Sequence, residues 1–271
     1  MDRNRRRKFG QNFLNNQGII DAIAGDLPIK PGDTVLEVGP GHGALTKSLL
    51  ARGAHVTSVE IDIECIKFLK FKIEEEHFKL IHANFMDFDL EPWLVANPNA
   101  WIVGNLPYNM ATPILMKILP LAHLCKGTMA MVQYEPGKRL CAQPGTRNFG
   151  HLTVMLQSYA TCNLLRKVEP LNFTPIPRVM SATIMIEALA VDQRREVKPG
   201  FFTFLAQCFA QKRKKMYNSL ETIYPKALVK KALAELEIEE GIRAEHVHTA
   251  QFFDLFDKLG LPEVPESLKV K

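Results

Sequence analysis

A glycine-rich segment directly after an apolar run constrains most strongly how this chain can fold. Thr34-Val35-Leu36-Glu37-Val38 has the pattern of a short buried strand, and Gly39-Pro40-Gly41-His42-Gly43 follows it. A helical pattern comes next and runs to about Arg52, with Gly53 placed to end it. Glycines allow the backbone to turn tightly and to approach a ligand closely. This order of strand, loop and helix predicts the first unit of an open α/β sheet, with a ligand site at the helix N-terminus.

The same alternation of strand and helix continues along the chain. Helices are predicted at residues 18–27, 63–76 and 152–159. Another helix is predicted to start at Thr112-Pro113, with Thr as its N-cap and Pro at its first position. Further strands are predicted at residues 55–60, 79–82, 101–104, 128–133, 161–168 and 181–187. Such alternation is typical of a mostly parallel sheet covered by helices on both faces, here with seven strands.

The strand patterns stop near residue 190. The rest of the chain shows helical periodicity at residues 201–220, 226–236 and 249–259. Apolar positions recur there at the spacing of one helix face. We therefore predict an α/β domain at residues 1–190 and a small all-helical domain at residues 191–271.

Charge and cysteine use narrow the classes of function. The net charge is +5, and basic residues cluster from Arg3 to Lys8 and from Lys212 to Lys215. Such clusters contact nucleic acid in some proteins and are only solvated surface in others, and both interpretations stay open here. The five cysteines are scattered and form no CxxC pair. This pattern indicates free thiols in a reducing compartment, and neither a disulfide framework nor a zinc site.

The sequence shows no pattern of a secretion signal or of a membrane span. No apolar h-region follows the basic N-terminus, and no apolar run approaches the roughly 20 residues that cross a bilayer. The segment Phe9-Gly10-Gln11-Asn12-Phe13-Leu14 already has the pattern of structured sequence, which leaves little room for a transit peptide. We expect a cytoplasmic protein without a membrane partner.

A second informative segment, Asn105-Leu106-Pro107-Tyr108, ends the predicted strand at residues 101–104. Pro107 cannot donate to a sheet ladder, so the strand stops there. An amide, a rigid turn and an aromatic ring are thus presented together at a carboxyl end, where open α/β sheets bind ligands. The amide oxygen and the turn carbonyls suit the N–H groups of a planar amine, and the ring suits stacking on it. The alternative is a strand-terminating turn with a core tyrosine.

The glycine segment also suits an adenosine-type cofactor. Gly39-x-Gly41-x-x-Ala44 satisfies the relaxed dinucleotide spacing, and Glu60 follows about 20 residues on, where an acid binds ribose hydroxyls. These residues do not separate NAD from S-adenosylmethionine, and a purely structural turn is the third possibility. Glu37 favours S-adenosylmethionine, because an acid there would repel a pyrophosphate but tolerate a cationic amine or sulfonium. The tetrad at residues 105–108 has no evident role in hydride transfer, which points the same way.

Two polar residues near the cofactor segment have simpler interpretations. His42 is expected to be an exposed filler in the glycine segment and not an acid or base. Asp62 either assists Glu60 or caps the next helix, and the cap is the favoured interpretation.

Together these residues resemble the KsgA family of S-adenosylmethionine-dependent rRNA adenine N6,N6-dimethyltransferases. The matching motifs follow one another in order from Lys8 almost to the end of the chain. They are Lys8-Phe9-Gly10-Gln11-Asn12-Phe13-Leu14, Glu37-Val38-Gly39-Pro40-Gly41, Val59-Glu60-Ile61-Asp62, Gly104-Asn105-Leu106-Pro107-Tyr108-Asn109, Phe173-Thr174-Pro175-x-Pro177-x-Val179, Phe209-x-Gln211-x-Arg213-Lys214-x-x-x-Asn218-Ser219-Leu220 and Arg243-Ala244-Glu245. Leu106 and Asn109 match this family better than its antibiotic-resistance relatives, which act on large-subunit rRNA.

The resemblance implies a Rossmann-like methyltransferase sheet and a helical domain that binds RNA. It implies dimethylation of two adjacent adenosines in a hairpin loop near the 3′ end of 16S rRNA, within an immature 30S-type subunit. S-adenosyl-L-methionine would be the methyl donor and S-adenosyl-L-homocysteine the product. No metal is expected, the protein is expected to be a monomer, and a role in ribosome biogenesis follows.

The resemblance also implies a cofactor site. Asn12 and Leu14 would close over the cofactor, Gly39 would approach its methionine end, and Glu60 would bind its ribose. The other implied cofactor residues are Gly41, Ile61, Asn84, Phe85 and Asn105.

The implied catalytic residues are those of the tetrad together with a distant phenylalanine. Asn105 would lie beside the methyl group and hold the N6 amine in the turn formed by Leu106 and Pro107. Tyr108 and Phe173 would sandwich the adenine.

Five positions depart from the family pattern. Asn84 stands where an Asp usually bonds the adenine amino group of the cofactor, and an Asn oxygen accepts the same bond without the charge. Tyr134-Glu135-Pro136 replaces Lys-Glu-Val near the expected substrate cleft. Met180 replaces an Asp, and Ala111 replaces a Ser. These departures concern cofactor affinity and substrate detail more than the type of reaction.

Three alternative functions stay open at this point. The chain could be mainly an RNA-binding assembly factor of the small subunit, as its basic runs and helical domain suggest. It could be the related methyltransferase of large-subunit rRNA. The weakest alternative is a nicotinamide oxidoreductase.

Overall fold

The computed structural model describes residues 12–211 and 214–261. The basic run from Arg3 to Lys8, the first four residues of the Lys8–Leu14 motif, and Lys212 and Arg213 lie outside these ranges. Within the described ranges no helix combines the length and the apolar character that a membrane span needs.

Over the described residues the central sheet has the predicted seven strands. They are β2 Thr34–Val38, β3 His55–Glu60, β4 Phe78–His82, β5 Trp101–Asn105, β6 Gly127–Gln133, β7 Ala160–Val168 and β9 Ser181–Ala188. The spatial order is β4-β3-β2-β5-β6-β9-β7. The first five strands pair in parallel, whereas β9 pairs antiparallel with both β6 and β7. The prediction of a mostly parallel sheet is therefore confirmed.

Two short strands lie outside this sheet and were not predicted. They are β1 Phe13–Leu14 and β8 Phe173–Thr174, which pair antiparallel with each other. Each is two residues long, which is too short for a periodic signal in the sequence.

The described residues contain eleven α-helices. They are α1 Gln17–Gly25, α2 Ala44–Ala51, α3 Ile63–Lys72, α4 Leu90–Ala96, α5 Ala111–Ile118, α6 Tyr134–Leu140, α7 His151–Gln157, α8 Phe201–Cys208, α9 Met216–Leu220, α10 Lys226–Glu235 and α11 Thr249–Leu259. Consecutive residues of β2 are buried, including Val35 and Leu36, which side chains on opposite faces of a strand achieve only when both sheet faces are covered.

Several predicted helix boundaries were wrong, including the end of α3, which lies at Lys72 and not at residue 76. Helix α5 begins at Ala111, because the Met110 carbonyl already accepts the first helical bond from Ile114. Pro113 therefore lies in the first turn, where a missing N–H costs nothing. The helix predicted at residues 201–220 is two helices, since Lys215 has extended ψ and the Met216 N–H donates to the Ile242 carbonyl.

The contacts divide the chain into two compact units. One comprises the described residues of Met1–Lys138 and Tyr159–Leu189, and the other those of Arg139–Ser158 and Ala190–Lys271. The second unit therefore takes residues 139–158, which lie within the α/β domain predicted for residues 1–190. Its core is rich in aromatic rings, with Phe201 stacked on Phe253 at 4.2 Å between centroids. The functional boundaries at residues 1–190 and 191–271 stay a prediction.

Candidate active site

A cavity of about 280 Å³ opens at the carboxyl ends of β2 and β5. The strand order reverses between these two neighbours, because the chain passes from β2 to β3 and β4 on one side and from β5 to β6 on the other. Loops diverge at such a switch point and leave a crevice for a ligand. The loops that follow β2, β3, β4 and β5 line the cavity, together with β1.

The glycine segment between β2 and α2 takes a conformation that other residues rarely adopt. Gly39 and Gly41 have φ of +68° and +58°. The Gly39 N–H donates to the Val59 carbonyl at 3.0 Å, which ties the segment to β3. A Cβ on Gly41 would lie 2.8 Å from the ring of Phe13, whereas a Cβ on Gly39 would meet no atom within 4 Å. The backbone at Gly39 is therefore open to the cavity that it lines.

Glu60 at the end of β3 is held by backbone N–H groups. Its Oε1 accepts from Ile61 and Asp62 at 2.9 Å, and its Oε2 accepts from Gly41 at 3.0 Å. Burial raises the pKa of Glu60, and these three bonds oppose the rise. A carboxylate accepts about four hydrogen bonds, so Glu60 retains acceptor capacity on the cavity side.

Glu37 in β2 is the second buried acid of the cavity wall. Its Oε2 accepts from the hydroxyls of Thr46 at 2.6 Å and Ser58 at 2.7 Å. Burial raises the pKa of Glu37 to about 7, although the two hydroxyl bonds oppose that change. A cationic group in the cavity would favour the ionised form, because opposite charge lowers the pKa of an acid.

Asn84 begins the turn after β4, and both ends of its amide are bonded. Its Oδ1 accepts from the Met86 N–H at 3.0 Å, and its Nδ2 donates to Asp87 at 2.9 Å. Since an N–H only donates and a carboxylate only accepts, these partners identify which amide atom is oxygen. The oxygen has a second lone pair for a further donor.

Lys117 in α5 braces the same turn and was missed by sequence reasoning. Its ammonium donates to the carbonyls of Phe85, Met86 and Phe88 at 3.0, 2.6 and 2.7 Å. An ammonium has three donors, so all of them are used on this turn. The signal in the sequence was a lone cation in the last turn of an otherwise apolar helix.

The tetrad turns sharply as β5 ends. The Leu106 N–H donates to Met131 in β6 at 3.1 Å, and the Met110 N–H closes the turn on the Pro107 carbonyl at 2.8 Å. The Asn105 Nδ2 donates to the Asn12 carbonyl at 2.9 Å. Because a carbonyl only accepts, this bond orients the amide so that Oδ1 lies on its other side.

The two predicted aromatic walls have different environments. The Tyr108 hydroxyl is 2.7 Å from Ser181 Oγ, and burial raises the pKa of Tyr108, so the phenol stays neutral. Tyr108 lines the cavity. Phe173 does not: it is 1% exposed and packs in the hydrophobic cluster that contains Leu14 and Val168. The structure therefore does not form the predicted sandwich, because the β1–β8 pairing buries the Phe173 ring in that cluster.

The segment that begins at Asn12 covers one side of the cavity. Phe13 stacks on His42 with centroids 4.1 Å apart, and His42 lies 4.8 Å from the Phe68 ring. His42 is thus half-buried between two rings, and its prediction as an exposed filler was wrong. Burial lowers its pKa, which keeps the imidazole neutral. Asp62 accepts from the Glu64 N–H at 3.0 Å, which confirms its prediction as the cap of α3.

All predicted site residues except Phe173 lie on the wall of this one cavity. They are Asn12, Leu14, Gly39, Gly41, Glu60, Ile61, Asn84, Phe85, Asn105, Leu106, Pro107 and Tyr108. The arrangement places buried acids, an open glycine backbone, an oriented amide and a neutral phenol on the wall of one cavity. Their individual roles stay predictions.

The comparisons with known proteins agree on one family. A family model described as ribosomal RNA adenine dimethylase matches residues 2–260. The chain is 36% identical over 258 residues to ribosomal RNA small subunit methyltransferase A of Chlorobaculum tepidum, covering 94% of this chain and 90% of the relative. It is 36% identical over 255 residues to the protein of the same name from Acidithiobacillus ferrooxidans, covering 92% of each.

Solved structures share the fold over most of the chain. A dimethyladenosine transferase from Plasmodium falciparum superposes with a TM-score of 0.77 at 24% identity, covering 92% of this chain and 99% of that chain. The 23S rRNA methyltransferase ErmE superposes with a TM-score of 0.67 at 26% identity, also covering 92% of this chain and 99% of that chain. The predicted Rossmann-like methyltransferase fold with a C-terminal helical region is confirmed. As the motifs had predicted, the chain is a methyltransferase and belongs to the ribosomal RNA adenine dimethylase family.

Proposed function

We propose that this protein uses S-adenosyl-L-methionine to dimethylate the N6 amines of two adjacent adenosines in a hairpin loop near the 3′ end of 16S rRNA. The observation that carries the proposal is the Asn105 amide, which the Asn12 carbonyl orients in the same cavity as Glu60 and the glycine segment. The names of the relatives support small-subunit rRNA as the substrate class.

The cavity wall fits S-adenosylmethionine on two counts. The open Gly39 backbone admits the methionine end, and Glu37 supplies an acid near a cationic group. Glu60 would accept the ribose hydroxyls, and Asn84 Oδ1 would accept from the adenine amino group. When bound, the cofactor supplies an electrophilic methyl group and leaves as S-adenosyl-L-homocysteine.

The task of the tetrad is to prepare a poor nucleophile. The N6 lone pair of adenine is delocalised into the ring, so the amine reacts only when it is drawn toward a pyramidal shape. Asn105 Oδ1 and a turn carbonyl would accept the two N–H groups of the unmethylated amine and expose that lone pair, and one of them would accept the single N–H of the monomethylated amine. At each transfer the nitrogen gains the methyl group and then releases one N–H proton to solvent. Alignment in a preorganised polar site then lowers the barrier without a metal or a strong base.

The target base must leave its stack to reach the cavity, as for other base-modifying enzymes. Tyr108 would offset that cost, because stacking on an aromatic ring is worth roughly 1–3 kcal/mol per base. Its bond to Ser181 would hold the ring in place. The stacking role of Phe173 requires its ring to leave the hydrophobic core, so Tyr108 carries this part of the proposal.

The proposed partner is an immature 30S-type ribosomal subunit, met by a monomer in the cytoplasm, and the proposed biological role is in ribosome biogenesis. The test is transfer of labelled methyl groups from S-adenosylmethionine to unmethylated small subunits. We expect two methyl groups on each of the two adenosines, and none on large-subunit rRNA presented as the control. If the protein binds subunits but forms no methylated product, the proposed methylation of this substrate is contradicted and a role as an assembly factor is favoured.

The two remaining alternatives have their own readouts. Label on large-subunit rRNA alone would favour the relative represented by ErmE. Calorimetric titration should give binding of S-adenosylmethionine and none of NAD, and the reverse result would favour the oxidoreductase.

A further inference from the structure

Tyr134, the first residue after β6, gathers two lysines around its ring. Lys138 Nζ lies 5.3 Å and Lys167 Nζ 4.8 Å from the ring centroid. Lys138 is one turn further along α6, whereas Lys167 comes from β7. The negative face of an aromatic ring attracts each cation and so offsets their mutual repulsion.

The charge of this cluster is little compensated by the described residues around it. Lys167 is exposed, and in residues 12–211 and 214–261 no carboxylate lies within 4.0 Å of its ammonium. Lys138 pairs with Glu135 at 3.6 Å, but the Glu135 side chain is 64% exposed. Such a solvated pair contributes little, so the cluster keeps a net positive charge.

The cluster adjoins the tetrad through two consecutive residues of the chain. The Tyr134 N–H donates to the Met180 carbonyl at 2.9 Å. The next residue, Ser181, holds the Tyr108 hydroxyl at 2.7 Å. Strands β5 and β6 are parallel, with Asn105 opposite Met131, so Tyr134 lies beyond the same edge of the sheet as the tetrad.

We propose that Tyr134, Lys138 and Lys167 bind a backbone phosphate of the RNA strand that carries the target adenosine. This inference rests on the proposed RNA substrate and deepens it. A flipped nucleotide stays joined to its neighbours through phosphates, which must therefore pass close to Tyr108. Ammonium groups bind phosphate as point charges, and the Tyr134 hydroxyl adds a donor. Tyr134 stands where the resembled family usually has Lys. In this chain the single lysine charge at that position is replaced by a ring with two lysine ammonium groups beside it.

The salt dependence of RNA binding tests this site. The affinity of unmethylated small subunits for the full chain is measured over a series of salt concentrations. Each phosphate contact contributes about 0.7 to 0.9 to the slope of log affinity against log salt. The Lys138→Gln/Lys167→Gln variant should therefore lose about 0.7 to 0.9 of that slope, for the one lost phosphate contact, and bind more weakly. The Tyr134→Leu variant should lose a smaller part of the slope, and the Tyr134→Phe variant should lose the smallest part.

Lys30→Gln is the matched control, because it removes one exposed charge before β2, at the opposite edge of the sheet. It should keep the wild-type slope. Calorimetric binding of S-adenosylmethionine checks that each variant is folded, and Lys167→Gln alone serves if the double variant is not. A slope equal to that of the control in a folded variant overturns the phosphate site. Failure of the wild-type protein to bind subunits at all overturns the proposed RNA substrate as well.

Discussion

Two groups of polar side chains on the cavity wall are used differently. In the group proposed for the cofactor, the oxygens of Glu37, Glu60 and Asn84 accept bonds from neighbouring groups of the protein. In the tetrad, which is proposed for the amine, Asn105 donates through Nδ2 to the Asn12 carbonyl, so its oxygen points away from Asn12. The first set is positioned before any ligand arrives and offers only its remaining lone pairs. Asn105 instead presents an oriented acceptor, which is what a planar amine requires.

Removal of the Asn105 amide should have the largest effect, and it tests whether Asn105 acts on the amine and not on the cofactor. Asn105→Ala should lower kcat by roughly 100- to 1,000-fold, as loss of one preorganised polar contact does in other active sites. Affinity for S-adenosylmethionine should change far less, because other residues hold most of the cofactor. Labelled methyl transfer and calorimetry measure the two quantities. A large loss of cofactor affinity with kcat retained would show that Asn105 binds the cofactor and not the amine.

Glu37→Gln tests how much the buried Glu37 carboxylate lowers the stability of the fold. Because its folded pKa is about 7 and its usual value 4.5, Glu37 costs stability as pH rises through this interval and costs nothing below it. The variant should therefore be more stable than wild type by about 3 kcal/mol at pH 8 and equally stable at pH 4. It should also bind S-adenosylmethionine more weakly, since the acid that favours a cation is gone.

Denaturant unfolding at the two pH values, without cofactor, measures this difference. Glu76→Gln, which changes an exposed acid in the same unit, is the control and should show no gain. Equal stability of Glu37→Gln and wild type at pH 8 would contradict the raised pKa.

Lys117→Met tests whether the turn after β4 depends on the three hydrogen bonds from the Lys117 ammonium. The variant keeps an unbranched side chain that is one atom shorter, and it leaves three carbonyls without the ammonium. Affinity for S-adenosylmethionine should fall about tenfold, equivalent to about 1.4 kcal/mol, with kcat at saturation nearly unchanged. Lys67→Met, at an exposed ion pair in α3, is the control. A fall in kcat with unchanged cofactor affinity would show that Lys117 acts elsewhere.

Asn84 should give the smallest effect. A carboxylate at this position accepts a stronger bond, but Asn84→Asp alone brings a second negative charge next to Asp87, which now accepts from Asn84. We therefore expect a small gain in cofactor affinity for the single variant. The Asn84→Asp/Asp87→Asn variant should gain roughly 1 kcal/mol, or about fivefold. Unchanged affinity of both variants by calorimetry would show that position 84 does not contact the cofactor.

Local patterns predicted the sheet well because strand and helix signals are short-range. Alternating apolar runs located all seven strands of the main sheet, and Thr249–Leu259 was predicted to the residue. The break between α8 and α9 was missed, because apolar residues on both sides of it, including Phe204 and Leu220, enter the same core and continue the period. A backbone bond from Met216 to the distant Ile242 decides that break.

The sequence alone determined the chemical inventory of the site and its place at the carboxyl ends of the strands. Glycines, a proline and the acid at position 60 act through their own backbone or position, so their spacing was enough. Only the tertiary structure decided how the atoms are used: which face Asn105 turns outward, that Lys117 braces the Asn84 turn, and that Phe173 lies in the core. Each of these depends on contacts between residues far apart in the chain, where burial and hydrogen-bond geometry outweigh local pattern.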